Sequence, residues 1–315
     1  MKKKILIIGG TGFIGYHLAK NCLKKNFHVT SLSYSKPKLK RYLKKVNYLQ
    51  CDISNKKKLS KKIKTKFDFV VNLGGYVNHT EKIKTFKSHY LGCRNLADFF
   101  KEKKITSFVQ IGSCVEYGSN KSPQNERSTS QIIKLKSTYG VAKLRATNYL
   151  LELFYKKKFP VTILRLYLVY GPNQEPNRLI SSTINSCLLN KNFPCSKGNQ
   201  SRDFLFIDDL IKAITSCFEN PKSRGKIINI GNGKPNKVKD VIELIRKRVG
   251  FGSPEYNKIA LRKDEIKILF PKISSAKKIL KWEPKISLKK GIDLTINYYK
   301  SMLNKNKKNK FEYYN

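Results

Sequence analysis

The stretch "KKKILIIGGTGFIG", residues 2–15, decides the fold. Lysines followed by an apolar run suggest a secretory leader at first sight. The run is only "ILII" before paired glycines, and no small-residue cleavage site follows, so the leader reading fails. "KILIIG" (4–9) reads instead as a buried strand. "GGTGFIG" follows at once and opens a helical pattern near 13–25. Its glycines are spaced Gly9-x-x-Gly12-x-x-Gly15. Glycine there permits a tight turn, close backbone approach to an anion and close helix–strand packing. The helix N-terminus adds unsatisfied N–H groups and the positive end of a dipole. Strand, glycine loop and helix in that order predict a dinucleotide pyrophosphate site formed by Gly9, Thr11, Gly12, Phe13, Ile14 and Gly15.

Working outward, apolar runs alternate with amphipathic stretches, the pattern of a parallel α/β sheet. Further strands are expected at 28–33, 46–51, 67–73, 107–112, 161–166 and 226–231, with helices near 55–64, 82–103, 137–157, 177–190, 207–218 and 237–249. From about 172 the alternation loosens and prolines become frequent. The expected fold is α/β: a doubly wound parallel Rossmann sheet with a smaller C-terminal substrate lobe. Residues 1–171, with 203–231 returning, would form the dinucleotide domain. Residues 172–202 and 232–303 would form the substrate lobe, and 304–315 a flexible basic tail.

Composition narrows the function classes. No segment approaches the ~20 apolar residues of a membrane span. The seven cysteines show no CxxC pair, and the four histidines show no ligand spacing, so no metal site is expected and a reducing cytoplasm fits. The net charge of +45 invites a nucleic-acid reading. Only 11 of the 66 basic residues are arginine, however, and the lysines are spread along the whole chain. Bidentate phosphate and base contacts favour arginine, so the lysines read as solvated surface. The positive field would still attract anionic small substrates.

The end of the second strand bears on the cofactor. NAD-selective loops place a carboxylate there for the ribose hydroxyls. This chain has "SLSYSKPKLKR", with Ser33 in that place and Lys36, Lys38 and Arg41 behind it. The reading favours NADP, with NAD as the alternative. Asp52, followed by Ile53, either accepts the adenine amino group or caps the next helix.

"STYGVAK" puts Tyr139 and Lys143 at i, i+4 on one helical face. An ammonium beside a phenol would lower the phenol's pKa, letting it exchange a proton while hydride moves. With "GGTGFIG", "GSCVEYG" (112–118), "LRLYLVYGP" and "SRDFLFIDDL", this segment resembles the extended short-chain dehydrogenase/reductases. Within them it looks like the NAD(P)-dependent nucleotide-sugar epimerase/dehydratase branch, over about residues 4 to 300.

That resemblance implies Ser113 as a hydrogen-bond donor to the reacting oxygen, Tyr139 as acid/base and Lys143 on the nicotinamide ribose. Leu73, Gly74 and Gly75 would line the nicotinamide side. Arg202 and Arg262 would meet the substrate diphosphate, while Asp203 would anchor a turn. The branch's dehydratases carry a catalytic glutamate two residues after the serine, where this chain has Val115. Glu116 is one residue further, and on an extended segment it would face away from the sugar. Cys114 and Tyr117 read as packing. Leu168 and His89 replace frequent asparagines, and His89 puts a backbone-bracing or water-relay role in doubt. His79 reads as a surface-loop residue, with a place facing the pocket just after the fourth strand as the alternative. The implied activity is hydride chemistry on a nucleoside-diphosphate sugar: a 4-keto reductase first, a 4-epimerase with retained NAD second, both serving surface-polysaccharide pathways. A homodimer through the helices near 82–103 and 137–157 is expected from the same likeness. A non-catalytic NADP sensor or RNA-associated scaffold is the rival of another class.

Overall fold

The computed structural model describes residues 2–128, 135–261 and 265–311, with side chains of the last helix as far as Asn304. Seven parallel strands make the central sheet. They are β1 (Lys4–Ile8), β2 (His28–Ser33), β3 (Val46–Gln50), β4 (Phe69–Asn72), β5 (Ser107–Ser113), β6 (Val161–Leu166) and the strand Lys226–Ile230. Across the sheet the order is Lys226–Ile230, β6, β5, β4, β1, β2, β3. The order reverses at β1, between β4 and β2, which opens a crevice at the carboxyl ends of those strands.

Helices α1 (Phe13–Lys24), α2 (Lys56–Lys62), α3 (Lys82–Phe86), α4 (Gly92–Phe100) and α5 (Thr138–Lys157) fall between these strands in the chain. After them come α6 (Leu179–Leu188), α7 (Ile207–Thr215), α8 (Val238–Val249) and α9 (Leu288–Phe311). Alternate residues of the central strands enter two cores. Leu6, Ile8, Val70 and Phe108 pack with Leu59, Leu96 and Leu150 of α2, α4 and α5. Ile5, Ile7, Val71 and Val109 pack with Leu18 of α1 and Ile211 of α7. Cover on both faces is why these strands read as continuous apolar runs rather than as an alternation.

The expected helix over 82–103 is interrupted. A π-helical turn, Lys87–Leu91, separates α3 from α4 and carries His89; such turns often sit beside functional sites. Beyond β6, Leu168–Tyr170 pairs in parallel with Phe204–Phe206. Ser201–Arg202 lies between Asn236–Lys237 and Ile268–Leu269. Asp209 ties the C-terminal part down: its backbone oxygen accepts Trp282 Nε1–H (2.9 Å), and Oδ2 accepts the Lys285 and Ile286 N–H groups. Helix α9 continues to Phe311, so helical backbone runs through residues expected to form a flexible tail. Among the described residues no helix is long and apolar enough to cross a membrane.

Candidate active site

The glycine loop lies between β1 and α1. Gly9 has φ +76°, a left-handed conformation natural to glycine. A Cβ at Gly15 would stand 2.5 Å from Gly10 Cα, so only hydrogen fits where α1 crosses the loop. Gly12 is the N-cap of α1, yet no side chain caps the helix and its first turn holds no acidic residue. The first-turn N–H groups therefore remain available to an anion, and the cradle fits a dinucleotide pyrophosphate. Phe13 is buried and Ile14 half-buried, fixing the start of the helix.

Ser33 ends β2 beside this loop. It is buried, and its Oγ accepts the Thr11 N–H (3.3 Å). Lys36 and Lys38 are exposed. Arg41 departs from expectation: it turns inward, donating to Asn173 O (2.6 Å) and pairing with Glu175 Oε1 (2.7 Å). Those bonds occupy the cation that had been grouped with the lysines behind β2. Asp52 Oδ1 accepts the Ser54 N–H (2.8 Å), whereas the cap of α2 is Asn55. Ile53 is buried.

Leu73, Gly74 and Gly75 follow β4 and run alongside the glycine loop; the Leu73 N–H donates to Ile8 O (3.0 Å). Gly75 lies so close to His89 that a Cβ would overlap the imidazole. His89 is buried, and its Nε2 donates to Tyr76 O (3.1 Å). It therefore braces the loop after β4, contrary to the doubt raised by losing the asparagine. Burial, reinforced by the Lys143 charge, pushes its pKa down to about 2.

Ser113 ends β5, Tyr139 lies in the first turn of α5, and Lys143 follows one turn on. Ser137 caps α5 by accepting the Gly140 N–H (3.0 Å), which fixes where the helix begins. Lys143 is buried, and its Nζ donates to Ile111 O (2.7 Å) on β5. The same ammonium lies 5.8 Å from the Tyr139 ring centroid. Ser113 is close enough to the Tyr139 hydroxyl to favour its ionised form. Burial raises the phenol's pKa to about 12, against a lowering by the neighbouring Ser113. Desolvation dominates, against the lowering expected from Lys143, whose ammonium donates one hydrogen bond to a backbone carbonyl.

His79 lies on an exposed turn, as the surface-loop reading expects. Its ring stacks on Tyr139 at 3.9 Å and 12° between planes, and His89 meets the same phenol edge-on at 4.8 Å. The loop after β4 folds back over α5, a closure that local sequence does not encode. Burial and the Lys143 charge lower the His79 pKa, keeping the imidazole neutral near pH 7.

"CVEY" (114–117) forms a 3₁₀ turn, not the extended segment expected. Glu116 is fully buried within it, paired to Arg165 at 2.9 Å. It turns from the cleft because the 3₁₀ turn points it inward. Tyr117 is buried and donates to Asn229 Oδ1 (2.8 Å). Cys114 is partly exposed, and burial raises its thiol pKa to about 12, an inert state.

Arg202 pairs with Glu265 and donates to Ser201 O (2.8 Å). Glu265 as its counter-ion is 63 residues away and carried no sequence signal. Arg262 lies outside the described residues. Asp203 accepts the Asn232 (2.7 Å) and Gly233 (2.6 Å) N–H groups, anchoring that turn. Leu168 is exposed. Among the described residues no group of three or more His, Cys, Asp or Glu side chains is placed to hold a metal ion.

Ser113, Tyr139 and Lys143 therefore meet beside a glycine-lined dinucleotide cradle. Residues 5–231 match the NAD dependent epimerase/dehydratase family. The chain belongs to this family. It is 30% identical to a Bacillus subtilis protein named as an uncharacterized UDP-glucose epimerase, over 95% of this chain and 98% of that one. It is 27% identical to human dTDP-D-glucose 4,6-dehydratase, over 95% and 90%. The solved Bacillus cereus UDP-glucuronic acid 4-epimerase, in complex with UDP-glucuronic acid and NAD, superposes with a TM-score of 0.82. It shares 26% identity, over 95% of this chain and 99% of that one.

Proposed function

We propose that the chain transfers hydride to a keto carbon of a nucleoside-diphosphate sugar, as a 4-keto-sugar reductase. One observation carries the restriction to hydride chemistry. The only carboxylate in the 112–118 motif, Glu116, is sealed against Arg165, and Val115 stands where the dehydratases of this branch keep their glutamate. Elimination of water then lacks its base.

When bound, the nicotinamide supplies the hydride. Ser113 orients the sugar oxygen, and Tyr139 donates the proton to it as the carbonyl becomes an alcohol. A phenol whose pKa lies near 12 is protonated at neutral pH, the form a reductase needs at the start of its turnover. Lys143 holds the nicotinamide ribose, and Arg202 exchanges Glu265 for the substrate diphosphate. Ser33 offers no charge to repel a 2′-phosphate, and exposed Lys36 and Lys38 suit one, which supports NADP. Comparative fluorescence titration with NADPH and NADH tests that preference.

A second reading, 4-epimerisation with retained NAD, is favoured by the names of the relatives. A panel of keto- and hydroxy-sugar nucleotides separates the two. Stoichiometric loss of reduced-nicotinamide absorbance supports reduction, isomer exchange without net loss supports epimerisation, and formation of a 4-keto-6-deoxy sugar overturns both.

A further inference from the structure

Glu116 touches no part of the cleft, yet both of its oxygens are engaged. Oε1 accepts the Ser113 N–H (2.8 Å). Oε2 accepts the Thr147 hydroxyl (2.7 Å) together with Arg165 Nε (3.0 Å) and Nη2 (2.9 Å). Thr147 lies one helical turn beyond Lys143 and two beyond Tyr139, so all three share a face of α5. Ser113 ends β5, the strand whose Ile111 carbonyl receives the Lys143 ammonium. A single carboxylate therefore pins the strand end bearing Ser113 to the helix face bearing Tyr139 and Lys143. Room for it exists because residue 112 is glycine: a Cβ there would stand 2.6 Å from Oε1. On the far side the Arg165 guanidinium lies 4.3 Å over the Tyr117 ring.

We propose that Glu116 is a positioning residue, which holds Ser113 in register with the Tyr139–Lys143 pair and supplies the negative charge that the Lys143 ammonium faces. This rests on the reading of Ser113, Tyr139 and Lys143 as the working set. Lys143 has neighbours on every side: Cys93 of α4, His89 of the π-helical turn, His79 of the loop after β4, Tyr139 of its own helix, and the Glu116–Arg165 pair. Burial pulls the ammonium's pKa down, and Glu116 pulls it back up. Neutralising Glu116 while Arg165 keeps its charge makes Lys143 release its proton at lower pH.

The test is NADH affinity against pH, read by fluorescence, for the wild type, Glu116→Gln and Glu116→Asp. Lys143→Met identifies the alkaline limb that belongs to the ammonium. In Glu116→Gln that limb moves to lower pH, the direction in which losing a neighbouring negative charge shifts an ammonium. Glu116→Asp keeps the charge but withdraws it by one methylene. Its limb stays in place and its NADH affinity is unchanged, while turnover of the sugar nucleotide identified by the panel falls by at least about tenfold. A Gln variant whose limb does not move, or an Asp variant at wild-type turnover, overturns the proposal. Should Glu116→Gln fail to fold by circular dichroism, Glu116→Gln with Arg165→Lys keeps the positive charge on a smaller, more adaptable side chain and is measured instead; its limb must move in the same direction. NADH binding needs no sugar. A panel without turnover would sink the reaction assigned above and leave the pH limb to decide the role of Glu116.

Discussion

At the scale of single residues, the phenol of Tyr139 is held by an imidazole on its face and another at its edge. Removing that hydroxyl in Tyr139→Phe leaves the stack and the cradle intact. Turnover should fall about 10²–10⁴-fold, the usual worth of a positioned proton donor, with NADH affinity within about twofold of wild type. Steady-state rates and fluorescence titration check this, and undiminished turnover would remove Tyr139 from the chemistry. His89 gives a pH prediction. Its folded pKa, about 2, lies below the unfolded value of 6.5. The unfolded chain therefore takes up a proton first as pH falls through 6.5, and folding loses stability progressively below that point. Between pH 7.5 and 5 the loss from this one group is about 2 kcal/mol. His89→Asn should be less stable than wild type at neutral pH but should flatten that acid slope in thermal melts. Parallel slopes would contradict a buried neutral imidazole.

Among the elements, the β1–α1 junction is the most sharply specified. Gly15→Ala forces a methyl against Gly9 O and Gly10, which should cost about 1–3 kcal/mol by overpacking. NADH affinity should drop at least about tenfold as the cradle is displaced. A melt combined with a binding titration reports both, and unaltered affinity would place the cofactor elsewhere. This junction was legible in sequence because glycine spacing and strand-then-helix order are local signals. So were the seven strands of the sheet, whose apolar runs are long enough to stand alone. The turn at 114–117 was missed although its signature was present. Ser113-x-x-Glu116 is a capping box, with the Glu116 side chain accepting the Ser113 N–H. Reading those residues as extended gave the right direction for Glu116 for the wrong reason. Arg41–Glu175, Glu116–Arg165 and Arg202–Glu265 were invisible, since periodicity says nothing about which distant loops meet.

For the whole molecule the charge of +45 sets how it meets its substrate. Arg41, Arg165, Arg202 and Arg224 are committed to internal partners, which leaves much of the surface field to lysine. Between 0.01 and 0.15 M salt the screening length shrinks from about 30 to 8 Å. kcat/KM for a nucleoside-diphosphate sugar should therefore fall about tenfold over that range with kcat unchanged, as stopped-flow and steady-state assays would show. A salt-independent kcat/KM would deny the field any part in capture. The thiols carry a different consequence. Six of the seven cysteines are buried, while Cys114 is partly open and adjoins Ser113. Exposure singles out position 114, but its thiol is held protonated at neutral pH, so a slow electrophile such as iodoacetamide would mark it first only in alkaline buffer. The chain comes with its own reporter beside Ser113, and mass spectrometry of its shielding by a candidate nucleotide would screen occupants without knowing the reaction.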